Sequence, residues 1–278
     1  MKPVRIYIGV VELANTKDSL LHIINKIKNS NLRNEKIIIV HSSKWQKYDY
    51  LLESDLNIEY YNSNLDSDSY EFPTLFKMWQ DAAIMDFNGL YIHCKGSSYT
   101  DSVKYENAKA WSTLMMYGVI DNSDLCIHHL NKGADYVGSL FYWHFKGNFY
   151  WFRSEYIKQL VNPMDMDHSY RLNAEFWGSY SYWWGRYPLP KVKNLFYISW
   201  VNDDNFINIK YYPEIFDKHI LKESFSDFLK RYKYEQHDII LMSNHDFIIH
   251  RNIIKRYLNY DGIVINCDTR SVLKYDEL

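Results

Sequence analysis

Two short, almost uninterrupted apolar runs with an amphipathic stretch between them constrain this chain more than any other feature. Val4 to Val11 reads VRIYIGVV and Lys36 to His41 reads KIIIVH. Runs this short, rich in β-branched residues and without polar alternation, fit strands covered on both faces, the condition of a parallel sheet. Between them, Leu20, Leu21, Ile24 and Ile27 share one face of a helix predicted over residues 18–30. A shorter strand follows at Ile58 to Asn62. Strand, helix, strand, strand in this order predicts an α/β fold: a Rossmann-like, mixed, mostly parallel sheet flanked by helices.

The pattern continues along the chain. Pro73 opens a helix whose apolar positions run from Leu75 to Met85. It leads to a strand, Gly89 to His93, that stops in the polar loop Cys94-Lys95-Gly96-Ser97-Ser98. Residues 103–121 read as a long helix, 125–130 as a short one closed by Gly133, and Tyr136 to Phe141 as a strand. Alternation around Gly147 to Phe152 gives another strand, followed by helices at 155–160 and 171–184. Leu195 to Ser199 reads as the last strand of the main sheet. The expected organisation is a main domain over residues 1–200 and a C-terminal α/β appendage over 201–278 packed on it.

Composition removes several function classes. A net charge of -2 gives no electrostatic footprint for nucleic acid. Cys94, Cys126 and Cys267 lack paired or zinc-type spacing, which suits free thiols in a reducing compartment. No signal-peptide pattern or apolar run of membrane-spanning length is read, so the expected location is cytoplasmic. Neither GxGxxG nor GxxxxGK[ST] follows the first strand, which argues against a dinucleotide dehydrogenase or a P-loop NTPase. The 26 Tyr, 9 Trp and 14 Phe are an unusual share, and aromatic faces stack on sugars and bases.

In open α/β sheets ligands collect where strands end. Lys95, with Gly96, Ser97 and Ser98 beside it, offers a point charge, backbone N–H groups and hydroxyls, the groups that hold a phosphate. A solvated surface turn is the competing reading.

The motifs Tyr91-Ile92-His93-Cys94-Lys95-Gly96, Gly147-Asn148-Phe149-Tyr150-Trp151 and Ala174-Glu175-Phe176-Trp177, in this order and with Trp111 between the first two, resemble a family of GT-A-type glycosyltransferases of polysaccharide and surface-glycan assembly. The resemblance covers roughly residues 4–180. It implies a GT-A-like sheet, a nucleotide-sugar donor and a glycan or glycoconjugate acceptor. It also implies donor contacts from Val10, Glu12, Ser42, His93, Lys95, Gly96 and Ser97. Glu175 takes the position of the acidic residue near the acceptor, the expected catalytic base. Gly147, Asn148, Trp151 and Trp177 are the expected acceptor contacts.

One departure matters. Where GT-A enzymes usually carry Asp-x-Asp to hold Mn²⁺ or Mg²⁺ against the diphosphate, this chain has His93-Cys94-Lys95. A lysine can neutralise part of the leaving diphosphate's charge, so a metal-independent or weakly metal-dependent reaction is expected. Asp165-Met166-Asp167 is a literal Asp-x-Asp, a weak metal candidate in a loop, and Asp203-Asp204 is read in the same way.

The expected function is therefore transfer of a sugar from a nucleotide-diphosphate donor to a hydroxyl of a glycan acceptor. A non-catalytic glycan- or nucleotide-binding module is the alternative. A nucleotidyltransferase ranks last, because Val10 to Lys17 lacks its glycine-rich, basic loop.

Overall fold

The apolar runs form neighbouring interior strands of a sheet in a computed structural model. It describes residues 2–42, 55–63, 70–139, 141–142, 144–145 and 147–178, together with four short strands beyond them. In chain order the elements are β1 (Val4–Val10), α1 (Thr16–Lys28), β2 (Lys36–His41), β3 (Ile58–Asn62), α2 (Phe72–Ile84), β4 (Asn88–His93), α3 (Ser102–Met116), α4 (Ser123–Asn131), β5 (Tyr136–Ser139), β6 (Phe141–Tyr142), β7 (His144–Phe145), β8 (Tyr150–Arg153), α5 (Ser154–Ile157), α6 (Leu172–Phe176), β9 (Leu195–Ile198), β10 (Ile239–Met242), β11 (Ile263–Asn266) and β12 (Val272–Lys274). A π-helical turn, Tyr117–Asp121, joins α3 to α4.

The sheet order is β12-β11-β10-β9-β5-β8-β4-β1-β2-β3, and β6 and β7 form a separate hairpin. β1 is parallel to both β2 and β4, with Gly9 opposite His93 and Val10 opposite His41. β8 runs antiparallel between β4 and β5. This is the α/β, mixed, mostly parallel sheet expected from the residues. Leu195–Ile198 is not its last strand, since β10, β11 and β12 continue the same sheet beyond it. The expected domain boundary at 200 lies outside the described residues.

Alternation along each strand sends side chains into two cores. Ile6, Ile8, Ile37, Ile39, Leu90 and Ile92 face α1, α3 and α4, where Leu20, Ile24, Ile27 and Met115 meet them. Tyr7, Ile38, Val40, Tyr91 and Phe152 face α2, α5 and α6, against Phe72, Leu75, Met78 and Trp177. The helix face read from Leu20, Ile24 and Ile27 is buried, and Ile23 joins it. No described helix is long and apolar enough to cross a membrane.

The chain leaves β1 towards β2 and β3 on one side, then returns to β4 on the other. That reversal makes a topological switch point at the carboxyl ends of β1 and β4, where open α/β sheets form their ligand-binding crevice.

Candidate functional site

The crevice is built first by a glycine. An added Cβ at Gly9, near the end of β1, would lie 2.9 Å from Thr74 Oγ1, 3.4 Å from His93 Cβ and 3.6 Å from the Tyr91 hydroxyl. These three residues come from α2 and β4, so Gly9 sets how closely the two elements approach over the strand ends.

Glu71 stands at the amino end of α2, with Pro73 in the first turn. Its backbone carbonyl accepts from Thr74 and Leu75, which fixes the turn. Its side chain reaches across the crevice: Oε2 accepts from the Tyr91 hydroxyl at 2.8 Å and from Asn148 Nδ2. Oε1 lies 3.8 Å from His93 Nε2, which in turn lies 2.9 Å from the Gly147 carbonyl oxygen. The His93 ring stacks on Tyr91 and meets the edge of Phe149. Burial holds its imidazole below the ordinary value; Lys95 acts in the same direction, while Glu71, the Gly147 carbonyl and Glu175 oppose it.

Backbone strain is concentrated at the same contact. Among the described residues, the non-glycine positions with positive φ are Tyr70 (φ 47°) and Asn148 (φ 62°). Each adjoins or forms one side of the Glu71–Asn148 hydrogen bond. Asn tolerates this region, whereas for Tyr it costs on the order of 1 kcal/mol or more, so the fold holds the pair in place against a local preference. Gly147, at φ 80°, is next to Asn148, and a Cβ there would fall 2.0 Å from Met115 Sδ. Gly147 does permit a close approach, but its close neighbour is Met115.

The loop after β4 lies beside this cluster. Gly96 is left-handed, at φ 76°, and a Cβ there would run into Ala108 of α3. The Ser97 carbonyl accepts from Asn15 N at 2.9 Å, tying the loop to the one after β1. Lys95 Nζ lies 4.4 Å from the Trp111 ring centroid, a cation–π contact. An anion at this loop would share the ammonium with the indole.

The remaining sequence candidates divide. Glu175 on α6 pairs with Arg171 one turn earlier, Nη2 to Oε1 2.7 Å, and its field reaches Tyr91 and His93. Its surroundings are thus a cation and the site's edge, not the purely apolar setting its neighbours in sequence suggest. Glu12 is exposed in the loop after β1 and acts electrostatically on Cys94, whose thiol burial pushes up to about 12. Val10 and Ser42 are buried and bonded to one another, Ser42 N to the Val10 carbonyl at 3.1 Å.

Trp151 and Trp177 do not fit as acceptor platforms. Both are fully buried, and their indole N–H groups donate to the carbonyls of Val119 (2.7 Å) and Val161 (2.8 Å). They are core residues because each finds both an apolar pocket and a backbone acceptor.

The described residues suit a divalent cation poorly. Hard cations take several oxygen ligands, and no group of three or more His, Cys, Asp or Glu converges among the described residues. Glu71 Oε2 is already engaged by Tyr91 and Asn148. Asp165 is exposed at the end of a 3₁₀ turn, and Asp167 Oδ1 accepts from Ser169 N at 3.0 Å, with buried Met166 between them. Asp203 and Asp204 lie outside the described residues.

Glu71 is the residue that sequence reasoning passed over. Its only signal is an acidic side chain directly before Phe-Pro at a helix start, a common N-terminal feature.

A cavity of about 440 Å³ opens at the opposite, amino end of the sheet, between Lys2, Leu32 and His128. It is separate from the crevice described above.

No curated protein matches the chain. Among solved structures, a crystal structure of S. aureus TarS 1–349 aligns with 91% of this chain and 74% of its own, at 10% identity and a TM-score of 0.34. A family described as a domain of unknown function, DUF8361, matches residues 20–185, a span that holds Glu71, His93, Lys95, Gly147, Asn148 and Glu175. The chain belongs to that family.

Proposed function

We propose that this protein is a glycosyltransferase that moves a sugar from a nucleotide-diphosphate donor to a hydroxyl of a glycan acceptor. The observation that carries the reading is the meeting, at the switch point between β1 and β4, of two unlike sets of groups. One is the Lys95-Gly96-Ser97 loop, with a cation and a left-handed glycine turn. The other is the hydrogen-bonded set Glu71, Tyr91, His93 and Asn148. Glycosyl transfer needs this division. Negative charge builds on the leaving diphosphate, which a cation stabilises. A proton leaves the acceptor hydroxyl, which a base must take. The order of the motifs through Glu175 supports the same reading.

On this proposal Lys95 and the loop hold the diphosphate, Glu175 lies on the acceptor side, and buried Asn148 supports Glu71 from behind. The Glu175–Arg171 pair favours a second reading, a non-catalytic glycan- or nucleotide-binding module, because the pair would be retained in a purely structural helix. Turnover separates the two.

A thermal-shift screen of UDP-, GDP- and dTDP-sugars, with and without Mn²⁺, tests the proposal. Ligand at about a hundred times its Kd stabilises the fold by about 2.7 kcal/mol, a rise of several degrees in Tm for a chain of this size. The donor that shifts Tm is then incubated with protein, and release of nucleoside diphosphate is followed. A shift with release supports the transferase. A shift without release supports the binding module, and no shift with any donor removes the transferase and the nucleotide-binding module.

A further inference from the structure

We infer that His93 is the catalytic base of this site, taking the acceptor's proton on Nδ1, with Glu71 and the Gly147 carbonyl as the groups that position it. The inference rests on the glycosyl-transfer reading above and names the base that reading requires.

The argument starts from hydrogen-bond roles. A carbonyl oxygen only accepts, so the 2.9 Å contact with Gly147 puts the hydrogen on Nε2. In a neutral imidazole the lone pair is then on Nδ1. No described residue bonds to Nδ1, and 17% of the side chain is open. Burial keeps the ring neutral near neutral pH, as a base must be before it acts. Glu71 Oε1, 3.8 Å from Nε2, stabilises the imidazolium once the proton arrives. An orienting acceptor, a nearby carboxylate and a basic nitrogen on the far side of the ring form the arrangement in which histidine works as a general base.

The two carboxylates are less suited. Glu71 Oε2 already accepts two hydrogen bonds, from Tyr91 and Asn148. Glu175 is held by Arg171. The groups that face His93 are Glu71 from α2, Tyr91 and Lys95 from β4 and its loop, Glu175 from α6, and the Gly147 carbonyl from the segment before β8.

The step balances without a co-reactant. The acceptor oxygen forms a bond to the anomeric carbon. The bond from that carbon to the phosphate oxygen breaks, and its electron pair leaves with the nucleoside diphosphate. The hydroxyl proton passes to Nδ1 and from there to solvent.

Two measurements test this together. The first is ¹⁵N NMR of the histidine rings in the intact protein. The expected result is the Nε2–H tautomer for His93, titrating below the ordinary imidazole value and lower still in Glu71→Gln, since a nearby negative charge is lost. The second is the pH profile of transfer. Its acid limb is expected to follow the NMR value, to fall to lower pH in Glu71→Gln and to rise in Lys95→Met. In His93→Gln the limb disappears and transfer drops at least about a hundredfold, while the donor still shifts Tm.

An Nδ1–H tautomer, or an acid limb that persists in His93→Gln, would overturn the assignment. So would a limb unmoved in Glu71→Gln, which tests it even where His93→Gln fails to fold. Transfer with an unmoved limb overturns the base assignment alone. No transfer from any donor, with the ring titrating as stated, overturns the glycosyl-transfer reading and the base role with it.

Discussion

Tyr91 and Glu71, twenty positions apart, meet across the crevice with the phenol donating to Glu71 Oε2 at 2.8 Å. This bond closes α2 onto the end of β4. Tyr91 is buried, so its hydroxyl has to be satisfied within the protein, and both burial and the Glu71 charge hold it in the protonated, donating form. Removing either partner therefore disturbs the whole set. Tyr91→Phe is expected to cost about 1.5–3 kcal/mol in chemical denaturation, the range for a hydrogen bond to a charged group. It should also lower transfer at least tenfold, because Glu71 is then held by Asn148 alone. Unchanged stability and rate in Tyr91→Phe would show that the contact is incidental.

Gly147 carries a steric prediction. Its φ is 80°, and a methyl group added there would fall 2.0 Å from Met115 Sδ, so Gly147→Ala meets both backbone strain and a clash. The expected loss is about 2–4 kcal/mol, taking about 1–2 for the left-handed backbone and the rest for overpacking. Urea unfolding should show a lower midpoint at constant m. Truncating Met115 in the same chain should recover part of the loss, since neighbouring substitutions are not additive.

Asp81 is the anchor of α2 rather than part of the site. Its buried carboxylate accepts from Tyr7 (2.8 Å), Arg5 (2.9 Å) and Lys77 (2.7 Å). Asp81→Asn leaves two cations short of their counter-charge under the helix, so about 3–5 kcal/mol of stability should go. Donor affinity per folded molecule, measured by calorimetry below the unfolding transition, should stay within a few-fold.

His41 gives a pH dependence of stability. Burial at the end of β2 lowers its imidazole from 6.5 to about 4. The unfolded chain therefore binds this proton at higher pH than the folded one. The contribution is complete above the unfolded value and is lost as pH falls from 6.5 towards 4. Its size is on the order of 3 kcal/mol. Denaturation curves collected across that window should slope less steeply in His41→Gln than in the parent. Identical slopes would place the titration elsewhere.

How much of this is legible in the sequence depends on whether the signal is local. β1, β2 and β4 are continuous apolar runs, and their ends emerge where composition changes, at His41 and His93. The buried face of α1 follows from its period. Nothing local in the β10 and β11 runs says that they extend the main sheet through β9. Lys95 and Glu175 stand out by motif, and the Arg171–Glu175 pair is at local helical spacing, whereas the Lys95–Trp111 contact is a consequence of folding. Glu71 shows the limit most clearly. Its bonds reach residues 20 and 77 positions away, so no spacing rule connects them. Trp151 and Trp177 mislead because an aromatic that stacks on a ligand and one that fills a core have the same letter; only the Val119 and Val161 carbonyls decide between them.

The most direct test is release of nucleoside diphosphate from the donor that shifts Tm, measured for the parent chain and Lys95→Ala under saturating acceptor. The account expects turnover by the parent and a loss of about a hundredfold or more in Lys95→Ala, the scale of removing one group that stabilises developing charge. Equal turnover by the two proteins would contradict it, since the diphosphate would then be held somewhere other than the loop after β4.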